Sequence, residues 1–207
     1  LVTEVVLTED RRVFEAVGTG RSRLSIQVYP AVAELVEEVL FEAGDSVEQG
    51  QVLVQLEDDQ EELAVRLAEV ALEDARRLLE RYRNAGEKGA VPQSEVDAAQ
   101  ADFDSAEVRL QQARLDLEER RVRAPFAGVV GVANVDPGDR VGTDTALTSL
   151  DDRSILYVDY EIPEQLISAL RRQGSKNIEA TTPAWPGQTF TGNLAAEESR
   201  VDAARRT

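Results

Sequence analysis

The chain contains no cysteine, no histidine and no methionine. Their absence removes thiol chemistry and disulfides, imidazole acid–base catalysis, thioether copper sites and nearly every zinc site. Copper(I) handoff is disfavoured for the same reason. Only two lysines occur, Lys88 and Lys176, so a Schiff-base enzyme or a swinging-arm carrier has two candidate positions at most. Aromatic residues make up only 5% of the 207 residues, which leaves core formation to the aliphatic side chains. No apolar run approaches the ~20 residues that span a bilayer. There is no signal peptide, and Leu1 is not an initiator residue, so a preceding segment is expected. Basic charge is also in short supply: 23 Lys and Arg stand against 40 Asp and Glu, for a net charge of −17. A surface this acidic repels phosphate backbones and argues against nucleic-acid binding.

What remains falls into three stretches. Residues 1–57 read as strands: Glu4–Leu7, Val13–Val17 broken by Gly18 and Gly20, Leu24–Tyr29, Ala33–Val39 and Gln51–Leu56. Residues 58–121 are rich in Ala, Leu, Glu and Arg and divide into two helical runs. In the first, Ala64, Ala68, Ala71, Ala75, Leu78, Tyr82 and Ala85 recur at spacings of four and three. In the second, Val96, Ala99, Phe103, Ala106, Leu110, Ala113 and Leu117 do the same. Asp58 or Asp59 is the expected cap of the first helix, with Arg81 and Arg83 in its last turn and Gly86 just beyond it. Ser94 with Asp97 resembles a capping box for the second. The pairs Glu62–Arg66, Glu73–Arg77 and Asp116–Arg120 have i,i+4 spacing. Two runs of about 27 residues, each about 40 Å long at 1.5 Å per residue, joined by a short turn, predict a slender antiparallel hairpin.

The third feature is an internal repeat offset by 94 residues. Ala33-Glu34-Leu35-Val36, Gly44-Asp45-Ser46-Val47 and Leu53–Asp58 correspond to Ala127-Gly128-Val129-Val130, Gly138-Asp139-Arg140-Val141 and Leu147–Asp152. Gly44 and Gly138 each precede an aspartate in a turn where a positive φ is cheap for glycine. Two small β units of one design, neither large enough to close a core, are expected to pack on each other with the hairpin inserted between them.

The order and spacing of these motifs resemble the periplasmic adaptor (membrane fusion) proteins of tripartite efflux pumps, the HlyD-like family. The resemblance rests on the Gly44-Asp45 turn, the hairpin, Arg123-Ala124-Pro125-Phe126-Ala127-Gly128 and Pro137-Gly138-Asp139-Arg140-Val141. It continues through Leu156-Tyr157-Val158, Ile162-Pro163-Glu164 and Pro186-Gly187. It implies a mainly β fold: a biotinyl/lipoyl-like β-sandwich (21–57 and 122–152) split by an antiparallel coiled-coil hairpin (58–121). A β-barrel domain from 1–20 and 153–207 would be incomplete, and a membrane-proximal domain would lie outside the chain. Pro163–Arg172 reads as a short helix and Thr189–Ala195 as a strand of that barrel.

The resemblance further implies a non-enzymatic coupling role in the periplasm of a Gram-negative bacterium, without a cofactor. The expected partners are an inner-membrane transporter of the resistance-nodulation-division type, an outer-membrane channel and further copies in a ring, expected to be a hexamer. An ATP-driven exporter is the alternative transporter. At the hairpin tip, many channel-binding members carry Arg, Leu and Ser; here Arg81 matches, while Ala85 and Pro92 stand at the other two positions. Lys88 lies in the same turn as a further contact candidate.

Other readings stay open beside this one. A carrier domain would bear lipoate or biotin on Lys88 or Lys176, and a plain coiled-coil scaffold would have no membrane partner. The carboxylate pairs Asp102/Asp104 and Asp151/Asp152 read as solvated charge, the second pair as a turn. Gly18-Thr19-Gly20 lacks the lysine and helix of a phosphate loop. Trp185 between two prolines reads as a buried anchor.

Overall fold

A computed structural model of the chain describes residues 14–162 and 178–195. The expected strand at Glu4–Leu7 and the expected helix at Pro163–Arg172 lie outside the described residues, as does Lys176. The chain divides into two compact units, one of residues 22–156 and the other of 1–21 with 157–207.

The first unit is built on two four-stranded sheets. In chain order the strands are β1 (Gly18–Val28), β2 (Glu34–Val39), β3 (Ser46–Val47) and β4 (Val52–Leu56). Two helices follow, α1 (Asp59–Glu87) and α2 (Gln93–Glu118). Then come β5 (Arg121–Arg123), β6 (Gly128–Val130), β7 (Arg140–Val141) and β8 (Thr148–Tyr160). One sheet has the order β1-β8-β6-β3 and the other β5-β4-β2-β7. The repeat explains this arrangement. β2, β3 and β4 correspond to β6, β7 and the start of β8, and each short strand pairs with the other half. β3 pairs with β6 (Val47 opposite Gly128), and β7 pairs with β2 (Val141 opposite Glu34). Neither half therefore completes a sheet without its counterpart.

The core consists of repeat pairs. Val36 and Val130, Val47 and Val141, Leu53 and Leu147, and Leu56 and Leu150 are all buried in one apolar cluster. Burying such side chains supplies the main favourable term, roughly 1.5–3 kcal/mol for each Val or Leu. Val54 is matched by a buried Thr148, whose hydroxyl donates to the Ser149 carbonyl at 3.3 Å. The repeat also has an asymmetric position. A Cβ on Gly128 would sit 2.6 Å from the Asp151 carbonyl oxygen, so only glycine fits there. Its counterpart Glu34 is partly exposed, with its carboxylate 3.9 Å from the Arg140 guanidinium.

Several sequence expectations are corrected. Gly18 and Gly20 do not break a strand: residues 14–17 are irregular, and β1 begins at Gly18. Pairing with β8 keeps the strand extended through both glycines. Asp151 and Asp152 do not form a turn. They lie inside the 13-residue β8, which runs without a break past the expected domain boundary at 152/153.

In the second unit, β9 (Ile178–Thr181) and β10 (Thr189–Gly192) form an antiparallel hairpin, with Gly192 opposite Ile178. Trp185 in its loop is 59% exposed and not a buried anchor; it meets Phe190 edge-on, with ring centroids 6.1 Å apart.

Candidate functional site

The two helices leave the sheets from β4 and return to them at β5. Their antiparallel pairing is fixed by bonds between distant residues: Arg120 to Glu61 at 2.5 Å, Arg114 to Glu69 at 2.9 Å and Arg83 to Gln100 at 2.5 Å. Among the expected local pairs, only Glu62–Arg66 is present, at 3.3 Å. Arg77 instead bonds Asp74, and Asp116 accepts from Gln112.

On α2, the buried or half-buried positions facing α1 are Val96, Ala99, Phe103, Ala106, Leu110, Ala113 and Leu117. On α1 the facing set is Val65, Ala68, Leu72, Ala75, Leu79, Tyr82 and Gly86. This shifts four expected positions by one residue. Ala64 and Ala71 are exposed, Leu78 and Ala85 are only half-buried, and Leu79 is the one fully buried residue of α1. A Cβ on Gly86 would lie 3.1 Å from Val96 Cγ2, so the small residue lets the helices close up near their far end. Gly86 is therefore a packing residue and not the helix stop.

The helix ends also differ from expectation. Asp58 flanks α1 without capping it through its side chain. Its carboxylate accepts from Gln55 at 2.9 Å and lies 3.7 Å from Arg121. Ser94 lies within α2, which starts after Pro92 with no side-chain cap, so the expected capping box is absent. Gln93 donates to Asp97 at 2.9 Å instead. At the other end α1 continues to Glu87, leaving Arg81 and Arg83 outside its last turn. Gly89, with φ of 68°, is the left-handed residue. The Gly89 amide donates to the Gly86 carbonyl at 2.8 Å and the Ala90 amide to the Ala85 carbonyl at 2.9 Å. These two bonds make a Schellman motif, which satisfies carbonyls that the helix end would otherwise orphan.

The tip residues are thus placed on a defined turn. Lys88 is exposed at the C-cap, Pro92 is exposed at the start of α2, and Ala85 is half-buried beneath them. Arg81 is exposed about two turns earlier, in a surface groove with Asp74, Leu78, Asn84 and Asp102. Asp102 and Asp104 are exposed on α2. Among the described residues, no group of three or more acidic side chains is placed to hold a metal, and no helix is long and apolar enough to cross a membrane.

The two repeat turns are built alike. Gly44 and Gly138 have φ of 92° and 94°. The Asp45 carboxylate accepts from the Glu42 amide at 2.8 Å, and that of Asp139 from the Asp136 amide at 2.9 Å. The hairpin root carries ionic contacts that the sequence reading missed. Arg120 with Glu61 is mostly shielded from solvent, and Arg123 bonds Glu118 at 2.6 Å. That Arg123 hydrogen bond holds the Glu118 carboxyl below its ordinary range. Ordinary i,i+4 spacing does not reveal contacts that span 59 residues, as Glu61–Arg120 does.

Comparison with known proteins agrees with this architecture. The CzcB-like barrel-sandwich hybrid domain family matches residues 24–152. The nodulation protein NolF of Rhizobium meliloti is 34% identical over 200 residues, covering 90% of this chain and 53% of that protein. The toluene efflux pump periplasmic linker protein TtgD of Pseudomonas putida is 29% identical over 156 residues, covering 74% of this chain and 41% of the relative. Among solved structures, a MacA-MexA chimera containing the Pseudomonas aeruginosa MexA α-hairpin domain superposes with a TM-score of 0.71 at 18% identity, covering 88% of this chain and 65% of that one. The chain spans about half the length of the curated relatives it matches. With its split repeat and its match over residues 24–152, the chain belongs to the CzcB-like barrel-sandwich hybrid family and is a membrane fusion protein of the periplasmic adaptor class.

Proposed function

We propose that this chain is the hairpin-bearing part of a periplasmic adaptor that links an inner-membrane transporter to an outer-membrane channel. Its role is geometric: it spaces and couples two membrane proteins, and no bond is made or broken. The observation that carries this reading is the insertion of a long two-helix hairpin between half-repeats that cannot close a core separately. An antiparallel coiled coil rooted at both ends in one β unit transmits position over about 40 Å at 1.5 Å rise per residue. Its far end presents a fixed turn with Lys88 and Pro92 exposed. The naming of TtgD as a periplasmic linker of an efflux pump supports the same role and a periplasmic location in a Gram-negative bacterium. The transporter is of the resistance-nodulation-division type, the copies form a hexameric ring around the channel axis, and Arg81, Ala85, Lys88 and Pro92 form the channel-facing tip.

The test is photo-crosslinking in cells from a probe placed at Lys88 of the full-length protein, with mass spectrometry of the adducts. Capture of an outer-membrane channel is the expected result. Adducts to soluble proteins alone would overturn the channel-linking role.

A further inference from the structure

The acidic surplus of the chain is not spread evenly. Residues 22–156 carry 29 Asp and Glu against 14 Lys and Arg, while the remainder carries 11 against 9. Nearly all of the net charge of −17 therefore sits on the unit that holds the two sheets and the hairpin. Within it, the stretch from Leu24 to Val65 has eleven carboxylates and no basic residue. Helix α2 has seven acidic residues against two basic ones, Arg109 and Arg114.

The structure leaves much of this charge uncompensated. Glu37, Glu38, Glu42, Glu48, Glu95 and Glu107 are exposed, and among the described residues none of them has an ion-pair partner. Glu37 and Glu38 are adjacent at an irregularity of β2 and are both exposed. Asp104 and Glu107 lie three residues apart on α2, a spacing at which like charges repel. Where α2 does give its aspartates a partner, the partner is an uncharged amide. Gln93 donates to Asp97 at 2.9 Å, Gln100 to Asp104 at 2.6 Å and Gln112 to Asp116 at 2.7 Å. Glutamine supplies the hydrogen bond and leaves the negative charge in place, whereas arginine or lysine would cancel it.

Two opposing effects decide what salt does to such a surface. The screening length falls from about 10 Å at 0.1 M salt to about 3 Å at 1 M. Repulsion between separated carboxylates acts over distances longer than the second figure, so salt suppresses it. The attractive contacts are shorter: Glu61 to Arg120 is 2.5 Å and Glu69 to Arg114 is 2.9 Å, and the first pair is mostly shielded from solvent. Contacts at that range keep most of their strength. Self-repulsion destabilises a compact state more than an expanded chain, in which the same charges lie farther apart. The balance therefore moves toward the folded state as salt rises. We infer that residues 22–156 form a unit built for a saline medium, its fold stabilised by dissolved salt that screens the carboxylates lacking a cationic partner. The effect is diffuse: among the described residues no group of three or more acidic side chains is placed to hold an ion. It is a property of this chain's surface and stands apart from the adaptor role proposed above.

The test is thermal unfolding of the full-length protein, followed by its helical far-UV circular dichroism signal. That signal reports on this unit, because both described helices lie in it. The melting temperature is expected to rise by several degrees between about 0.1 and about 1 M sodium chloride, and by the same amount in potassium chloride. An unchanged or falling melting temperature would overturn the inference. A rise that depended on which of the two cations is present would put a bound ion in place of screening and overturn it as well. The combined variant Glu37→Gln, Glu38→Gln, Glu48→Gln and Glu107→Gln should melt above the parent at the low salt concentration and gain less from added salt. Salting-out of apolar surface is untouched by these four changes, so an equal rise in parent and variant would assign the effect to that cause and overturn the inference.

Discussion

Val36 and Val130, 94 residues apart, occupy the same place in the two half-repeats, and each is clasped by the turn of the opposite half. The Val36 amide donates to the Asp139 carbonyl at 2.8 Å, and the Val36 carbonyl accepts from the Gly138 amide at 2.8 Å. The Val130 amide donates to Asp45 at 3.0 Å, and its carbonyl accepts from Gly44 at 2.9 Å. A two-residue clasp made twice, with exchanged partners, holds together the two half-repeats between which the hairpin is inserted.

This reciprocity predicts matched costs in the two turns. Gly44→Ala and Gly138→Ala each force a Cβ into the left-handed region, at φ of 92° and 94°, with open space around it. Backbone strain is then the main cost, and each substitution should destabilise by roughly 1–2 kcal/mol. Urea denaturation of the two variants should give midpoints lowered by similar amounts. A large difference between them would show that the two clasps are not equivalent in energy.

The corrected register of α1 makes a prediction on adjacent residues. Leu79 is 3% exposed in the seam, whereas Leu78 is half-buried in the groove beside it. Leu79→Ala leaves a cavity and should cost about 2–4 kcal/mol, and Leu78→Ala no more than about half of that. Ala71→Asp, on an exposed position, should leave helix melting nearly unchanged. Thermal unfolding followed by far-UV circular dichroism checks all three. Equal effects at Leu78 and Leu79 would restore the register read from the alanine spacing.

The register of α1 turns on side-chain size. Ala68, Ala75 and Tyr82 belong to both of two frames one residue apart; Ala64, Ala71 and Leu78 complete one, and Val65, Leu72 and Leu79 the other. The structure takes the frame with the larger side chains, which bury more area than alanine, so alanine spacing alone points to the wrong one. On α2 the seam positions are mostly bounded by polar or small residues, so one frame stands out and the structure has the same one. The split repeat was legible because glycine and aspartate recur in its turns and the apolar positions recur around them. Local sequence places the end of α1 too early, because Gly86, the first glycine met, serves packing, while Gly89 takes the positive φ. Paired charge such as Asp151-Asp152 suggests a turn because it is rare inside strands; the neighbours that accommodate Asp152 are not visible from local sequence.

Those neighbours give a pH prediction. The Asp152 carboxylate is held below its ordinary value, first by hydrogen bonds from the Ser154 hydroxyl and amide and then by the nearby Arg23 charge. Its contact with the Ser154 amide is 2.9 Å and with Arg23 3.9 Å. A carboxyl whose folded pKa is depressed contributes stability that is present above its unfolded pKa of about 3.9 and lost as pH falls through the folded value. Asp152→Asn should therefore lower the melting temperature at pH 7, and the difference from the parent should close once pH drops below the folded value. A difference that stayed constant down that range would assign the effect to shape rather than charge.

The hairpin root makes the last prediction. Arg120 and Glu61 are joined at 2.5 Å with side chains only 14% and 19% exposed, and Arg120 Nε is buried without a partner. Removing one member leaves the other charge partly desolvated, which costs more than the pair contributes. Glu61→Gln should destabilise by about 1–3 kcal/mol, and Glu61→Leu combined with Arg120→Met should recover much of that loss. The effect should be local: hydrogen exchange should rise at the first turns of α1 and the last turns of α2, leaving the turn at Lys88 and Gly89 unchanged. Because the root joins both helices to the sheets, a loosened root should also widen the range of positions the tip samples, read as a broader distance distribution between spin labels at Lys88 and Asp136. An unchanged distribution with the same loss of stability would mean that the seam alone sets the direction of the hairpin.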